Sequence, residues 1–196
     1  MIRPASDAAV PYLVVVGASW GGFEAVGVLL DQLDPSSCPP VAVAQHRTGI
    51  GNDALVGALQ GRTRLRVVEA DDKTRIEPGA VFLAPADYHL LVEDGHFALS
   101  VEPPIRHSRP SIDALFESAA DVYGEAVVAV VLTGANDDGT RGLKAVKDAG
   151  GMALVQDPAT AVRPEMPEAA IAAGLADQVL SLAAIATVIN ELGAVG

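Results

Sequence analysis

The sequence predicts an α/β fold: a three-layer, doubly wound, mainly parallel sheet with helices on both faces and a small antiparallel hairpin as an appendage. Three observations predict it. Short unbroken apolar runs recur along the chain, as in strands buried on both faces. Segments with apolar residues at helical spacing lie between them. A single stretch, 76–101, changes to closely spaced short strands around Asp94-Gly95.

Residues 1–12 read as a loose leader, with Pro4, Ser6, Asp7 and Pro11, and residues 13–196 as one domain. Leu13–Val16 is the first strand, Gly17–Gly22 a turn, and Val26, Leu29, Leu30 and Leu33 mark the helix that follows. Pro39-Pro40 precede a second strand, Val41–Gln45. Asn52 is read as the N-cap of a short helix carrying Leu55, Val56 and Leu59, and Leu65–Ala70 as a third strand. Val81–Ala84, Leu90–Glu93 and His96–Val101 are read together as the antiparallel appendage, with Asp94-Gly95 expected to form a type I′ turn. Ser111 caps a helix through Leu115, Phe116 and Ala119. Val127–Leu132 is the most apolar strand and is expected at the sheet centre. A helix with Leu143 and Val146 stops at Gly150-Gly151, and Met152–Gln156 is a further strand. Pro167–Ala173 is a helix closed by Gly174, and Gln178–Leu180 a short strand. Ser181 caps a last helix that turns Leu182, Ile185, Ile189 and Leu192 inward.

Composition excludes several classes. With 13 Lys plus Arg against 25 Asp plus Glu the net charge is −12, which disfavours nucleic acid and anionic membranes as partners. The single Cys38 allows no intrachain disulfide and suits a reducing cytoplasm. No run approaches the roughly 18 apolar residues of a membrane span, so membrane insertion is not expected; a monomer is the default. Gly17–Gly22 is not a dinucleotide fingerprint, because Ser19 stands where glycine belongs. There is no phosphate-loop lysine, no His-Glu-x-x-His and no paired cysteines, so neither cofactor nor metal is expected.

In parallel sheets, sites lie beyond the carboxyl ends of strands. Ser19 follows the first strand at a helix start, where free N–H groups can hold an oxyanion; taken alone it reads more readily as a helix cap. His46 closes the second strand and is a candidate general base, competing with His89, His96 and His107. His96, beside the hairpin turn, reads as solvated. Asp137 and Asp138 follow the apolar strand 127–132, where either could orient an imidazole or serve the turn. Each is weak singly, but a serine, a histidine and an aspartate past three strands of one sheet make the convergence a triad requires. Gly17-x-Ser19-x-Gly21 matches the α/β-hydrolase elbow, yet that fold orders its triad serine, acid, histidine, and no histidine follows Asp138.

With these pieces in place, the chain resembles the catalytic domain of chemotaxis protein-glutamate methylesterases, the CheB family. The resemblance rests on residues 16–22, Gln45-His46, Pro78-Gly79, Leu83-Ala84-Pro85, His89, residues 109–116, Leu132-Thr133-Gly134, Asp138-Gly139, Gln156-Asp157 and residues 166–171. It implies a catalytic triad of Ser19, His46 and Asp138, the last chosen because it directly precedes Gly139. It implies hydrolysis of glutamyl methyl esters, with methanol released, on the cytoplasmic helices of methylated chemoreceptors, and deamidation of glutamines as a second activity. Trp20, Gly21, Gly22 and Ala135 are expected to shape the site or supply oxyanion donors, and Arg47, Arg106 and Arg109 are candidates to meet acidic receptor faces, with a brace of the site as the alternative role for Arg109. The chain departs from the family pattern at Trp20, where a small hydroxyl residue is usual, and at Ala135-Asn136, where Met-Gly is usual. Ser108 and Glu165 are further departures. Family members commonly carry an N-terminal receiver domain, and Met1 stands a dozen residues before the first strand, so either constitutive activity or control by a separate regulator or methyltransferase is expected. The alternatives are a non-catalytic regulatory or binding module and an esterase acting on another substrate.

Overall fold

A computed structural model describes residues 12–46 and 52–194. The elements run β1 (Leu13–Ala18), α1 (Gly22–Asp31), β2 (Val41–Gln45), α2 (Asn52–Gln60), β3 (Arg66–Glu69), β4 (Ala80–Leu83), β5 (His89–Glu93), β6 (His96–Ser100), α3 (Ile112–Tyr123), β7 (Val127–Val131), α4 (Thr140–Asp148), β8 (Met152–Gln156), α5 (Glu165–Ala172), β9 (Gln178–Leu180) and α6 (Leu182–Gly193). Seven strands form one parallel sheet in the order β3-β4-β2-β1-β7-β8-β9, and β5 with β6 makes a separate antiparallel pair.

Strand alternation divides the core into two layers. Leu13 and Val15 of β1 face Leu115 and Phe116 of α3, Leu143 and Val146 of α4 and Met166 of α5. Val14 and Val16 face Val26 and Leu29 of α1, Leu59 of α2 and Ile185 and Ile189 of α6. Every residue of β1 and β7 is buried, which is why these strands read as unbroken apolar runs rather than alternating ones.

Three details differ from the sequence reading. β4 belongs to the main sheet, parallel between β3 and β2, rather than to the appendage. Its four residues are all buried, with Val81 in one layer and Phe82 in the other, a demand that only a sheet covered on both sides meets. The middle place falls to β1, with β7 its neighbour, because equal apolarity does not rank two fully buried strands. The hairpin turn is not type I′, which needs positive φ at both central residues; Gly95 has φ 74° and Asp94 is not left-handed. The turn is tied from outside, since Ile76 N–H donates to the Gly95 carbonyl at 3.1 Å. The hairpin docks by Phe97, whose ring lies 5.0 Å from that of Phe82.

The N-cap role expected of Asn52 rests on a side chain outside the described residues, as does the leader apart from Tyr12. Cys38 is buried and its thiol is pushed up to about 12, by burial first and the Asp34 charge second, so it stays an unreactive thiol. Among the described residues no helix is long and apolar enough to cross a membrane, and no group of three or more His, Cys, Asp or Glu could hold a metal ion.

What positions the site is the topology around β1. From β1 the chain crosses through α1 to β2, and from β7 it crosses through α4 to β8, on the opposite face and in the opposite direction. The carboxyl ends of β1 and β7 therefore flank a switch point, where open parallel sheets leave a crevice between two helix N-termini.

Candidate active site

Ser19 sits in the turn between β1 and α1. Its N–H donates to the Thr133 carbonyl at 2.9 Å, and its own carbonyl accepts from Gly22 N–H at 2.8 Å. The turn closes with Gly21 in the left-handed region at φ 79°, where a Cβ would also meet Val162 at 2.7 Å. Gly22 thus supports the turn, and its N–H is not a free oxyanion donor. The Trp20, Gly21 and Ala135 N–H groups have no protein acceptor among the described residues. The loop after β7 approaches Ser19 closely, and Gly134 permits it: a Cβ there would lie 2.9 Å from the Ser19 Cβ and 1.9 Å from the Met166 sulfur.

His46 follows β2, which pairs with β1 up to Ala18 opposite Gln45. Its Nδ1 lies 3.2 Å from Ser19 Oγ and its Nε2 2.7 Å from Asp138 Oδ2. A buried carboxylate opposite Nε2 fixes the tautomer: Nε2 keeps the proton and donates a hydrogen bond to Asp138, leaving the Nδ1 lone pair to accept from the serine hydroxyl. Gln45 ties the two loops together, with Nε2 donating to the Ser19 carbonyl at 2.8 Å and to the His46 carbonyl at 3.0 Å.

Asp138 is 1% exposed. Its Oδ2 also accepts from Ile112 N–H at 2.8 Å, and its Oδ1 from Ser111 Oγ at 3.1 Å, Asp113 N–H at 3.0 Å and Gly139 N–H at 3.0 Å. The carboxylate therefore occupies the N-terminus of α3, where N–H groups and the helix dipole favour an anion. Burial pushes its pKa up, but the bonds from His46, Ile112 and Asp113 more than offset this, so it lies below the ordinary aspartate value. Asp113 returns the arrangement: its Oδ1 accepts from Gly139 N–H at 2.9 Å and Gly142 N–H at 2.8 Å, at the start of α4. Each helix N-terminus is thus held by an aspartate that belongs to the other helix or to the loop before it. Burial raises the Asp113 pKa, and the Asp138 charge adds to the rise against bonds from Gly142 and Gly139.

A second network adjoins the first. Ser111 N–H donates to His89 Nδ1 at 3.2 Å, and His89 Nε2 faces the Pro103 carbonyl at 3.3 Å. Ser111, His89 and Asp138 are linked, but in the wrong order for a nucleophile. The Ser111 hydroxyl contacts the carboxylate directly, the imidazole meets only its backbone N–H, and the residue is 0% exposed. This network holds Asp138 in place. The remaining histidines lie elsewhere: His96 pairs with Glu93 on the hairpin, and His107 is exposed.

The family whose sequence profile matches the chain over residues 14–189 is CheB methylesterase. The chain belongs to this family. A Leptospira interrogans relative named for protein-glutamate methylesterase and protein-glutamine glutaminase activities is 41% identical over 180 residues, covering 91% of this chain and 93% of its own length. FrzG of Myxococcus xanthus, a protein-glutamate methylesterase, is 38% identical over 183 residues, 92% of this chain but 55% of FrzG. The crystal structure of the Thermotoga maritima CheB methylesterase catalytic domain superposes with a TM-score of 0.89 at 34% identity, covering 94% of this chain and 100% of that one. This chain thus has the CheB catalytic fold, seen here as a seven-stranded parallel sheet with a two-stranded hairpin.

Of the arginines expected to meet a partner, Arg47 lies outside the described residues. Arg106 pairs with Asp137, which lowers the Asp137 pKa, so neither is a free charge. Arg109 is turned to its own loop, where Nη1 donates to the Val101 carbonyl at 3.0 Å and the Glu102 carbonyl at 3.1 Å. It is a brace and not a docking cation. Ser111 caps α3 as the sequence predicts, accepting from Ala114 N–H at 3.4 Å, but its bond to Asp138 and the site roles of Gln45, Asp113 and Asn136 were not revealed by the sequence. All but Asn136 fall inside the segments that carry the family resemblance, which was the available signal.

Proposed function

We propose that this CheB-family chain is a serine hydrolase that demethylates glutamyl methyl esters on methyl-accepting chemoreceptor-type proteins. Deamidation of glutamines is a second reaction of the same acyl carbonyl. The observation that carries the reading is the line of hydrogen bonds from Ser19 Oγ through His46 to Asp138, at the ends of three adjacent parallel strands.

In this reading Ser19 Oγ attacks the ester carbonyl while its proton passes to His46 Nδ1. Asp138 keeps Nε2–H and stabilises the imidazolium without taking the proton, in keeping with its lowered pKa. The oxyanion meets the Trp20, Gly21 and Ala135 N–H groups. The tetrahedral intermediate collapses, Nδ1–H protonates the departing methoxide, and methanol leaves. Water activated by the same Nδ1 then opens the acyl-enzyme to the glutamate.

The test is methanol release from methylated chemoreceptor by the wild-type chain and by Ser19→Ala. The expected result is turnover by the former and a loss of roughly 10⁶-fold in the latter, the scale of removing a triad serine. A folded wild type that releases no methanol overturns the reading. Turnover of small esters alone moves the substrate elsewhere, and failure on both leaves a regulatory binding module.

A further inference from the structure

Within the hydrolase reading just given, we propose that Asn136 is a catalytic residue whose side-chain amide is handed from His46 to the oxyanion as the bond to Ser19 forms. Asn136 Oδ1 accepts from Asp138 N–H at 3.2 Å. That bond fixes the amide orientation and turns Nδ2 toward His46, 3.4 Å from Nδ1. Nδ1 is the same atom that faces Ser19 Oγ at 3.2 Å. One lone pair therefore serves two donors, the serine hydroxyl and the Asn136 amide. The second N–H of Nδ2 has no protein acceptor among the described residues, and the side chain is half-buried at the mouth of the site.

The chemistry follows from counting protons. In the resting site Nδ1 is an acceptor, and an N–H donor beside it is satisfied. When Oγ bonds to the carbonyl carbon, the π pair moves to the carbonyl oxygen and the Ser19 proton moves to Nδ1. Nδ1 then has no lone pair, and the amide N–H has lost its acceptor. A new anionic acceptor has formed at the same moment, on the carbon attached to Oγ, in the space bordered by the loop 134–136. The interaction is stronger in the transition state than in the ground state, the condition for raising kcat rather than lowering KM. When the intermediate collapses, methoxide takes the Nδ1 proton, and the lone pair again accepts from Asn136.

The experiment compares wild type, Asn136→Ala, the isosteric Asn136→Asp and Ser19→Ala on p-nitrophenyl acetate, so that it does not depend on the receptor substrate. Removing one oxyanion donor is expected to lower kcat about 10²–10³-fold in Asn136→Ala with KM little changed. Asn136→Asp, which keeps the shape but places an acceptor against the anion, should fall at least as far. Affinity for an alkylboronic acid, which forms a tetrahedral anion on Ser19, should drop by the same factor as kcat, a correspondence that a purely structural role would not produce. Either folded variant keeping kcat within threefold of wild type overturns the proposal. Activity on this ester with none on methylated receptor sinks the receptor reading alone and leaves this one standing.

Discussion

Two histidine–carboxylate pairs in this molecule have the same length and opposite consequences. His46 Nε2 lies 2.7 Å from Asp138, and His96 Nε2 lies 2.7 Å from Glu93. The first aspartate side chain is 0% exposed, receives four further hydrogen bonds and sits at a helix N-terminus. The second carboxylate is 48% exposed and shares its oxygen with Lys73, itself 61% exposed. Beyond His46 stands a serine hydroxyl; beyond His96 Nδ1 stands the Asp94 carbonyl. Distance therefore does not distinguish the pair proposed as catalytic from the surface one. Burial, the number of donors fixing the carboxylate and what the far nitrogen faces do so, because screened charges on mobile side chains hold no geometry.

The sharpest break in the comparison is amide for carboxylate on each side. Asp138→Asn should lower kcat about 10⁴-fold, since an amide no longer enforces the tautomer that leaves Nδ1 free. Glu93→Gln should leave kcat and Tm unchanged within error, and a large loss there would sink the distinction. Next in size is Asp113→Ala, which strands the Gly142 N–H and leaves Gly139 N–H only its bond to Asp138, and should cost about 2 kcal/mol in urea unfolding. Asp113→Asn, which can keep the accepting oxygen, should cost clearly less.

Acid unfolding sharpens the contrast further. A carboxylate whose folded pKa is lowered contributes stability that is full above the ordinary aspartate value of about 3.9 and is lost as pH falls through the folded value. Asp138 is such a group, so Asp138→Asn should show a shallower fall in unfolding free energy below about pH 4. Asp113 is raised and tilts the other way: between about 3.9 and its folded value stability falls as pH rises, so Asp113→Asn should steepen the rise with pH. The smallest effect is expected at Trp20, which is 68% exposed. Trp20→Ser should change stability by no more than about 0.5 kcal/mol. If the indole meets substrate, it should shift KM for methylated receptor without moving kcat for p-nitrophenyl acetate.

The sheet was legible because β1, β2, β7 and β8 are buried on both faces and so wrote themselves as unbroken apolar runs. β4 misled because a four-residue strand beside a hairpin signal carries no mark of which sheet it joins. Ser19 and His46 could be named as candidates because each directly follows such a strand, and Asp138 because it lies in the loop after β7 and directly precedes Gly139, as the family resemblance implies. Their bonding partners could not, because Ser111 and Asp113 reach Asp138 and Gly139 only through the packing of α3 against α4, across more than 20 residues. Asn136 was hidden among turn-forming residues, and only the orientation of its amide separates it from them.

The most direct test of the central claim is covalent. The folded chain is treated with a fluorophosphonate, and the adduct is located by peptide mass spectrometry, with His46→Ala in parallel. One adduct is expected, on Ser19, at a rate that collapses in His46→Ala. No adduct on folded protein, or an adduct on Ser111, would contradict it.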